Sequence, residues 1–518
     1  MALCAAAVKP YYCASTNGGR LTQADDAGTG PRGLNLALAA VLAACLLRLW
    51  LIPQTSSFWV DEMGTAFVVE HGAGDPSLRV APQVAQSIYF ALPEISTRLL
   101  GASEAAYRLP SLLAMAGALL LIFRLAARLI VPPAGWFAVF ACLALRGFNY
   151  QAADARPYAL GTLVACAGLW FLVRWLDSAQ WRDALGFAVT ASLLWRVHLM
   201  LWPVYGLFAV YALVRLRRGD TRVGWGAAAA VFAVLGLSLA PVLLSALALL
   251  REAGLHVVAR PPSLAQLARS LKLGLIAGAG VAAALVGRWR QWEPAAYRPS
   301  WPSLAAIGGW WLFPPLCLFL FSRLTGSSVF VDRYFSVALP GAALAATAAA
   351  ARFVPARHWK TATLLFALGV LALLGQWNRV WPPHHNSDWR AAARALGEER
   401  LGPGIPVVAP SPFIEARAPV WRPDYPLESF LYSNLLFYPF PGRVYPFPFA
   451  NSPPAEAFAA QLSQQVLAGA GKFVIYGENP KVVFWRDWFQ ARPEFASWHS
   501  RRLGPFGDVE VVEFQKPE

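Results

Sequence analysis

Residues 34–52 read LNLALAAVLAACLLRLWLI, an apolar run whose one charged residue is Arg48. A helix of about 20 apolar residues is long enough to cross the hydrocarbon core of a bilayer, so the run predicts a membrane-spanning helix. It is followed closely by SSFWVDEMGTAFVVEHG, residues 56–72, which places two adjacent carboxylates, Asp61 and Glu62, just beyond the end of the span.

The composition of the whole chain is that of a membrane protein. Of its 518 residues, 57% are hydrophobic and 14% are charged, and the mean hydropathy is +0.44. Soluble domains carry about 25% charged residues. These values exclude a soluble globular domain, a disordered chain, a collagen-like repeat and a small disulfide scaffold. We therefore predict an α-helical polytopic membrane protein.

The net charge of +15 does not indicate a nucleic-acid partner. The arginines flank apolar runs instead of forming a basic stripe, as expected for loops that face the cytoplasm and anionic lipid. The six cysteines show neither a CxxC motif nor the Cys/His spacing of a zinc site. No nucleic acid is therefore expected among the partners.

Ten further apolar runs predict about eleven membrane-spanning helices. They lie near 109–130, 134–149, 157–176, 183–198, 199–216, 223–250, 268–287, 303–322, 334–351 and 359–375. Segment 84–100 is interrupted by Pro93, Glu94 and Arg98, and it predicts a helix that lies along the membrane surface.

The distribution of basic residues predicts the orientation in the plasma (inner) membrane. Lys and Arg are in excess on cytoplasmic loops. When the leader 1–33 is placed in the cytoplasm, every predicted inner loop carries at least two arginines. Residues 34–375 then form the transmembrane domain, with the loop 53–108 outside. Residues 376–518 form an extracytoplasmic domain.

The outer segment 376–518 predicts a small α/β domain. Residues 388–400 have the pattern of an amphipathic helix, and the β-rich runs lie at 405–409, 472–476 and 509–514. Stretch 419–454 is dense in Pro, Tyr and Phe, which fits either a packed loop or a surface that contacts sugar rings.

Two features near the outer membrane surface are candidates for chemistry. Asp61 and Glu62 are costly near hydrocarbon unless they have a function, although acidic residues also favour the first turn of a helix. Basic residues should be scarce at the outer ends of spans. A set of them nevertheless lies there: Arg146, Arg156, Arg196, His198, Arg260, Arg269, Lys272 and Arg333.

Together these two features indicate glycosyl transfer from a lipid phosphate. Arginine binds phosphate oxygens bidentately and stays charged, so the cations suit a lipid-linked phosphate, whereas any single one can be a snorkelling surface residue. A carboxylate beside them can take the proton of an acceptor group while the phosphate leaves from the opposite face. A single displacement of this kind inverts the anomeric centre.

Five motifs resemble, in order and spacing, the GT-C integral-membrane glycosyltransferases related to protein O-mannosyltransferases and lipid A aminoarabinose transferases. They are WVDE (59–62), QSIYF (86–90), GASEAAYRLPSLLA (101–114), DARPYAL (154–160) and DRYFSVALPGAALA (332–345). The resemblance implies the GT-C fold for most of 34–375 and a donor that carries its sugar on a polyprenyl phosphate. The acceptor can be a lipid, a glycan or a protein.

The resemblance also implies roles for individual residues. Asp61 of WVDE would be the general base, with Glu62 as its neighbour in the site. The donor phosphate would be bound by Arg156 and Tyr158 of DARPYAL, His198, and Arg333 and Tyr334 of DRYFSVALPG. The second motif departs from the family, because Ser87 and Ile88 follow Gln86 where relatives commonly have two prolines.

Metal dependence varies among these relatives. Glu70 and His71 lie close to Asp61 in sequence, but no ligand triad is recognisable. We therefore expect no obligatory metal, while a divalent ion stays an open alternative.

Two other classes of membrane protein also fit part of these sequence features. A lipid-linked-glycan flippase or secondary transporter also has many spans and a cationic cavity, but it tends to place ionisable groups at the bilayer midplane within paired repeats. A polymerase or ligase of lipid-linked glycans shares the basic outer site but does not require an acidic pair after the first span.

Overall fold

The structure is a computed structural model that describes residues 32–80, 87–253, 261–293, 295, 297–373, 384–398, 402–410, 430, 433–447 and 451–517. Most of the predicted leader, Gln86 of the second motif, Arg260 and part of the aromatic stretch 419–454 lie outside these residues.

The membrane part is built from fifteen helices in the described ranges. They are α1 (Arg32–Leu46), α2 (Val60–His71), α3 (Ala91–Leu100), α4 (Glu104–Leu129), α5 (Gly135–Leu143), α6 (Arg146–Ala152), α7 (Tyr158–Ser178), α8 (Trp181–Val197), α9 (Pro203–Arg218), α10 (Trp225–Ala253), α11 (Leu264–Ser270), α12 (Leu273–Trp289), α13 (Trp301–Thr325), α14 (Leu339–Ala351) and α15 (Trp359–Leu373).

Several of these helices are long and apolar enough to cross a membrane. Within the described residues six meet that test, and α11 with α12, which are bent by 46° relative to each other, make a seventh if they form one span. Two shorter apolar helices lie at Pro132–Leu143 and Ser336–Ala351. The prediction of a polytopic helical membrane protein is confirmed, and the number eleven stays a prediction.

The predicted span 134–149 is broken in the structure. Helix α5 ends at Leu143 and α6 begins at Arg146, with Leu145 in an extended conformation between them. The Asn149 amide donates to the carbonyl oxygens of Leu143 and Leu145, at 2.7 and 3.3 Å. Because carbonyl groups at a helix end lack intrahelical partners, this side chain stabilises the break.

Helix α3 covers the second half of the segment that was predicted to lie along the membrane. A short 3-10 turn at Ile88–Phe90 precedes it. Leu92, Ile95, Leu99 and Leu100 are exposed, whereas Pro93 is buried. A helix with one buried face and one exposed apolar face is typical of the membrane interface.

Close contact between α13 and α14 positions the segment that carries Arg333. A Cβ atom at Gly341 would lie 2.4 Å from the backbone nitrogen of Trp311, so the two helix backbones meet there. The Trp310 indole donates to the carbonyl oxygen of Val337 at 2.7 Å. Glycine permits this approach because it has no Cβ.

The C-terminal domain, which the sequence analysis places outside and which is called the outer domain below, is a five-stranded sheet with helices, as the sequence predicted. Its strands are β1 (Pro406–Pro410), β2 (Arg443–Phe447), β3 (Lys472–Glu478), β4 (His499–Phe506) and β5 (Val509–Gln515), in the order β2-β1-β3-β5-β4. β1 is parallel to β2 and β3, whereas β5 is antiparallel to β3 and β4. The helices are α16 (Trp389–Glu398), α17 (Ser433–Leu436), α18 (Pro453–Leu462) and α19 (Asn479–Gln490).

The outer domain and the start of α2 share one hydrophobic core. Phe58, Val60 and Met63 are buried in the same cluster as residues of β1, β3 and β5. The Tyr438 hydroxyl accepts a hydrogen bond from the backbone N–H of Phe58 at 2.8 Å and donates to Glu104 at 2.9 Å. The backbone leading into α2 is therefore held by both domains.

Candidate active site

Asp61 and Glu62 occupy the first turn of α2, where carboxylates are favoured by the helix dipole. Trp59 precedes the helix in an extended conformation, and the helix ends at Gly72, whose φ is 85°. Consecutive residues of an α-helix point about 100° apart, since a turn takes 3.6 residues. The two carboxylates therefore face different neighbours.

Asp61 faces two of the predicted cations. Its Oδ2 atom lies 3.1 Å from Nη1 of Arg333 and 3.7 Å from Nη2 of Arg156. Arg156 also donates to the backbone carbonyl of Asp61 at 3.0 Å. Two segments that lie far from Asp61 in the chain thus converge on its carboxylate.

The other predicted donor-site residues lie beside these cations. The Tyr158 and His198 rings are 5.2 Å apart between centroids, and the Tyr334 ring lies 5.3 Å from His198 and 6.2 Å from Tyr158. Burial and the charges of Arg156 and Arg333 lower the pKa of His198 to about 3. His198 is consequently neutral at physiological pH and can both donate and accept a hydrogen bond.

Several buried polar atoms of this cluster lack hydrogen-bond partners within the described residues. They are Oδ2 of Asp61, Nε of Arg156, Nε of Arg333 and the hydroxyl of Tyr158. The contact of Arg333 with Asp61 is thus an ion pair without hydrogen-bond geometry at Oδ2. Because buried polar groups are normally satisfied, this concentration of unpaired polar atoms indicates a binding site for a polar ligand.

Glu62 does not contact these cations. It forms a fully buried ion pair with Arg108. Arg108 donates to both Glu62 carboxylate oxygens, at 2.7 and 2.6 Å, and both side chains have no exposed surface. Burial raises the pKa of Glu62, but the charge and hydrogen bonds of Arg108 outweigh burial and hold the pKa below its ordinary value. Glu62 is therefore ionised. Its predicted role as a neighbour of the base stays a prediction.

Arg108 also holds the backbone between the first span and α2. Its guanidinium donates to the carbonyl oxygens of four consecutive or nearly consecutive residues, which are Pro53, Gln54, Ser56 and Ser57. The ion pair thus fixes the loop that ends at Asp61.

A third group connects the site to the start of the outer segment. Asp154 Oδ1 accepts a hydrogen bond from the Trp59 indole at 3.1 Å and lies 3.4 Å from Nε2 of His384. The His385 ring stacks on Trp59 at 5.2 Å, and the Arg333 guanidinium lies over the same indole at 5.8 Å. Trp59 therefore lies between the outer segment and the cations.

Within the described residues, one group of side chains could hold a metal ion. Ligand atoms of Glu62, Asp154 and His384 all lie within 4.8 Å of one another and are buried. However, Arg108 already neutralises Glu62, whose Oε1 also accepts a hydrogen bond from the Ala155 backbone at 2.8 Å. This donor set resembles a satisfied hydrogen-bond network more closely than a metal centre, and the expectation of no obligatory metal stays a prediction.

Three other cations of the predicted set, which lie in the described residues, make their contacts elsewhere. Arg196 donates to the carbonyl oxygens of Ser192 and Ser238, both at 2.6 Å, and so connects α8 to α10. Arg146 is exposed, and Arg269 donates to the Ala265 carbonyl within its own helix. Of the eight cations, the described structure thus brings together Arg156, His198 and Arg333.

An apolar cavity lies away from this cluster. It has a volume of about 530 Å³ and is lined mainly by α5, α12 and α15, with small residues such as Gly274, Gly278 and Ala282 along α12. No ionisable side chain lines it. This cavity can receive a hydrocarbon chain but does not supply groups for catalysis.

Comparison with known proteins shows which fold the chain shares. A family model described as dolichyl-phosphate-mannose-protein mannosyltransferase matches residues 88–244. The structure of ArnT from Cupriavidus metallidurans bound to undecaprenyl phosphate is similar over 92% of this chain and 97% of that chain, with a TM-score of 0.52 and 12% identity. The chain has the GT-C fold of ArnT. The apo structure of the same ArnT matches the chain over 93% of its residues and 98% of ArnT, also with a TM-score of 0.52 and 12% identity.

The matched segment of this GT-C chain contains much of the candidate site. Residues 88–244 include Arg108, Asp154, Arg156, Tyr158 and His198. No curated protein sequence matches the chain significantly. The predicted fold is therefore confirmed, while the roles of individual residues stay predictions.

Sequence reasoning did not single out several residues of this GT-C site. Arg108 and Asp154 lie inside the quoted motifs GASEAAYRLPSLLA and DARPYAL, so their motif membership was an available signal. His384 and His385 adjoin the predicted boundary at 376, and no pattern in the chain connects them to Asp61.

Proposed function

We propose that the chain transfers a sugar from a polyprenyl-phosphate-linked donor to an extracytoplasmic acceptor, with inversion at the anomeric carbon. The observation that carries the proposal is the convergence of Asp61, Arg156 and Arg333 beside buried donors without partners. ArnT from Cupriavidus metallidurans has been solved with undecaprenyl phosphate, which supports a carrier of this class.

In the proposed reaction Asp61 is the general base. Its carboxylate takes the proton of an acceptor hydroxyl while that oxygen forms a bond to the anomeric carbon. The bond between the anomeric carbon and the phosphate oxygen breaks, and polyprenyl phosphate leaves with the bonding electron pair. Asp61 later gives the proton to solvent. General-base assistance of this kind contributes roughly 10²- to 10⁴-fold to a rate.

Arg156 and Arg333 would stabilise the phosphate as negative charge develops on it. Both guanidinium groups contact Asp61 in this structure, so a bound phosphate would compete with the carboxylate for them. Donor binding would then release Asp61 from its ion pairs and make it available as a base. Preorganised cations in a site of low dielectric are worth more than the same charges in water.

Tyr158, His198 and Tyr334 would form the wall around the phosphate. The Tyr158 hydroxyl has no hydrogen-bond partner among the described residues and can donate to a phosphate oxygen. Neutral His198 adds a second donor without adding charge. Glu62 would affect catalysis indirectly. It binds Arg108, and Arg108 in turn fixes the backbone that leads to Asp61. The arginines supply positive charge at the leaving group, and the proposal includes no metal.

The proposal is tested with purified protein in two steps. Mass spectrometry of the lipids that co-purify should detect a polyprenyl phosphate. Labelled sugar should then pass from a synthetic polyprenyl-phosphate sugar to washed membranes of cells that lack the gene. Movement of intact lipid-linked sugar across vesicles without transfer would instead identify a flippase, and direct use of a nucleotide sugar would exclude the proposed donor.

A further inference from the structure

Arg333 reaches the candidate site from a segment between two helices, so the position of its guanidinium depends on neighbouring side chains. The residue lies after α13 and before α14. Its guanidinium contacts the Asp61 carboxylate at 3.1 Å and lies over two aromatic rings, those of Tyr334 and Trp59, at 5.5 and 5.8 Å from their centroids. A free arginine side chain has many rotamers, so contacts of this kind decide where its charge lies.

The carboxylate and the rings contact different parts of the guanidinium. The N–H donors point outward in the plane of the group and bind carboxylate or phosphate oxygens, whereas the flat faces stack on aromatic rings. In the proposed reaction the donor phosphate replaces Asp61 at these N–H groups. The ring contacts do not compete with the phosphate, so they can hold Arg333 in place before and after the donor binds.

Trp59 is itself fixed by residues outside the cation cluster. Its backbone N–H donates to Oε2 of Glu62 at 3.4 Å, and its indole N–H donates to Oδ1 of Asp154 at 3.1 Å. The His385 ring stacks on the indole at 5.2 Å, with the two ring planes 5° apart. Tryptophan gives the strongest cation–π attraction of the aromatic side chains. A ring held by three segments of the chain is therefore suited to orient a flexible arginine.

A tryptophan beside the proposed base has a second possible use, which is to stack on a sugar ring of the acceptor. Such stacking requires an uncovered face of the indole. The Trp59 ring already has His385 stacked on it and the Arg333 guanidinium over it. These contacts favour a role in positioning Arg333.

Resting on the proposed function, we propose that Trp59 is a positioning residue for Arg333. Its indole holds the guanidinium with the N–H donors directed to the donor phosphate, so that positive charge is in place when the bond between the anomeric carbon and the phosphate oxygen breaks. Trp59 itself acts on no reacting atom. Asp154 supports the indole from the membrane domain, and His385 supports it from the segment that leads into the outer domain.

The test is a double-mutant cycle between Trp59 and Arg333 in the full-length protein. A synthetic polyprenyl-phosphate sugar is the donor, and washed membranes of cells that lack the gene are the acceptor source. Trp59→Leu should raise the KM for the donor about three- to tenfold and leave acceptor saturation unchanged. In the Arg333→Ala background the same substitution should change the donor KM by less than about twofold, because the residue that it positions is gone. Trp59→Phe, which retains an aromatic face, should recover part of the loss.

Trp289→Leu is the matched control. Trp289 is exposed at the end of α12, and the Arg290 guanidinium lies over its ring at 5.0 Å. The variant therefore removes the same kind of contact at a place away from the candidate site. It should keep the donor KM of the wild type.

The outcomes separate this inference from the proposed function. If the wild type transfers no sugar from this donor, the proposed function fails, and the inference that rests on it fails too. If the wild type transfers sugar, an unchanged donor KM in Trp59→Leu overturns the inference alone. An equal rise with and without Arg333 also overturns it, since that result indicates a structural role.

Two further results are decisive. A change in acceptor saturation alone would overturn the inference and identify Trp59 as a sugar-binding ring. If Trp59→Leu does not fold, the cycle is measured with Trp59→Phe, which should raise the donor KM about twofold when Arg333 is present and leave it unchanged when Arg333 is absent.

Discussion

Arg333 and Asp61 form an ion pair across the candidate site, with Nη1 of the arginine 3.1 Å from Oδ2 of the carboxylate. Asp61 belongs to the first turn of α2, and Arg333 belongs to the segment before α14. The two segments lie far apart in the amino-acid sequence. The pair exists because the fold brings the start of α2 and the segment before α14 together.

Replacement of Arg333 by Ala should mainly weaken use of the donor. A hydrogen bond to a charged group contributes about 1.5–3 kcal/mol, so the KM for the polyprenyl-phosphate sugar should rise roughly ten- to a hundredfold. Arg333→Lys should have an intermediate effect, because lysine keeps the charge but loses bidentate geometry. Donor and acceptor saturation curves measure the effect, with exposed Arg98→Ala as the control. An unchanged donor KM would contradict the phosphate-binding role.

Replacement of Asp61 by Asn should nearly abolish turnover while the protein stays folded. Asparagine has a similar shape but cannot take a proton, so transfer should fall by roughly 10²- to 10⁴-fold. Donor binding, measured by native mass spectrometry with undecaprenyl phosphate, should persist because Arg156 and Arg333 are still present. Glu94→Gln, which removes an exposed carboxylate of α3, should retain full activity. Normal turnover by Asp61→Asn would exclude the residue as the base.

The buried Glu62–Arg108 pair should contribute strongly to stability. Removal of one partner of a buried ion pair costs about 3–5 kcal/mol, because the other charge stays buried without compensation. Both Glu62→Gln and Arg108→Ala should therefore lower the Tm of the protein in detergent. Arg108→Ala should have the larger effect, since it also removes a donor from each of the backbone carbonyls of Pro53, Gln54, Ser56 and Ser57.

An exposed pair provides the control for this comparison. Disruption of Glu94–Arg98 on α3 should change the stability by less than about 1 kcal/mol, because exposed ion pairs contribute little. Equal thermal stability of the wild type and Arg108→Ala would show that the buried pair is not structural.

His198 should make the donor-free protein less stable in mild acid. Its pKa is lowered to about 3 in the folded protein, against an ordinary value of 6.5. Between these values the unfolded chain binds a proton that the folded protein does not, so stability falls as the pH falls from about 6.5 toward 3. Because a single imidazole binds at most one proton, its contribution to the slope stays below about 1.4 kcal/mol per pH unit.

The pH effect is measured as the Tm of the wild type and of His198→Gln between pH 7.5 and 5. The wild type should lose more thermal stability over this range than the variant, which has no titratable group at this position. Identical pH profiles would mean that His198 is not held neutral by Arg156 and Arg333.

Some features of the candidate site were predicted from the sequence, and others were not. Asp61, Arg156, Tyr158, His198, Arg333 and Tyr334 were all nominated from motifs and topology, and the structure places them together. The predicted topology placed eight cations at one depth in the membrane, but it did not predict which of them are in contact. Depth in the membrane follows from apolar run length, whereas the position around the bundle depends on helix packing.

Asp61 and Glu62 contact different partners because of the residue at which α2 begins. The carboxylates are adjacent in sequence, and a first turn at Val60 directs one to Arg156 and Arg333 and the other to Arg108. Sequence patterns do not locate a helix start to one residue. Arg108 lies inside a quoted motif. Its pairing with Glu62 could not be predicted from the sequence, because the pairing depends on the packing of α4 against the loop before α2.

By itself the sequence determined that this chain lies in a membrane, and it nominated Asp61, Arg156 and Arg333 as site residues, because hydropathy and motifs are local properties. The tertiary structure decided which cations reach Asp61 and that Glu62 is buried against Arg108. Those relationships join residues that lie dozens to hundreds of positions apart in the chain, and only the packing of helices and loops brings them into contact.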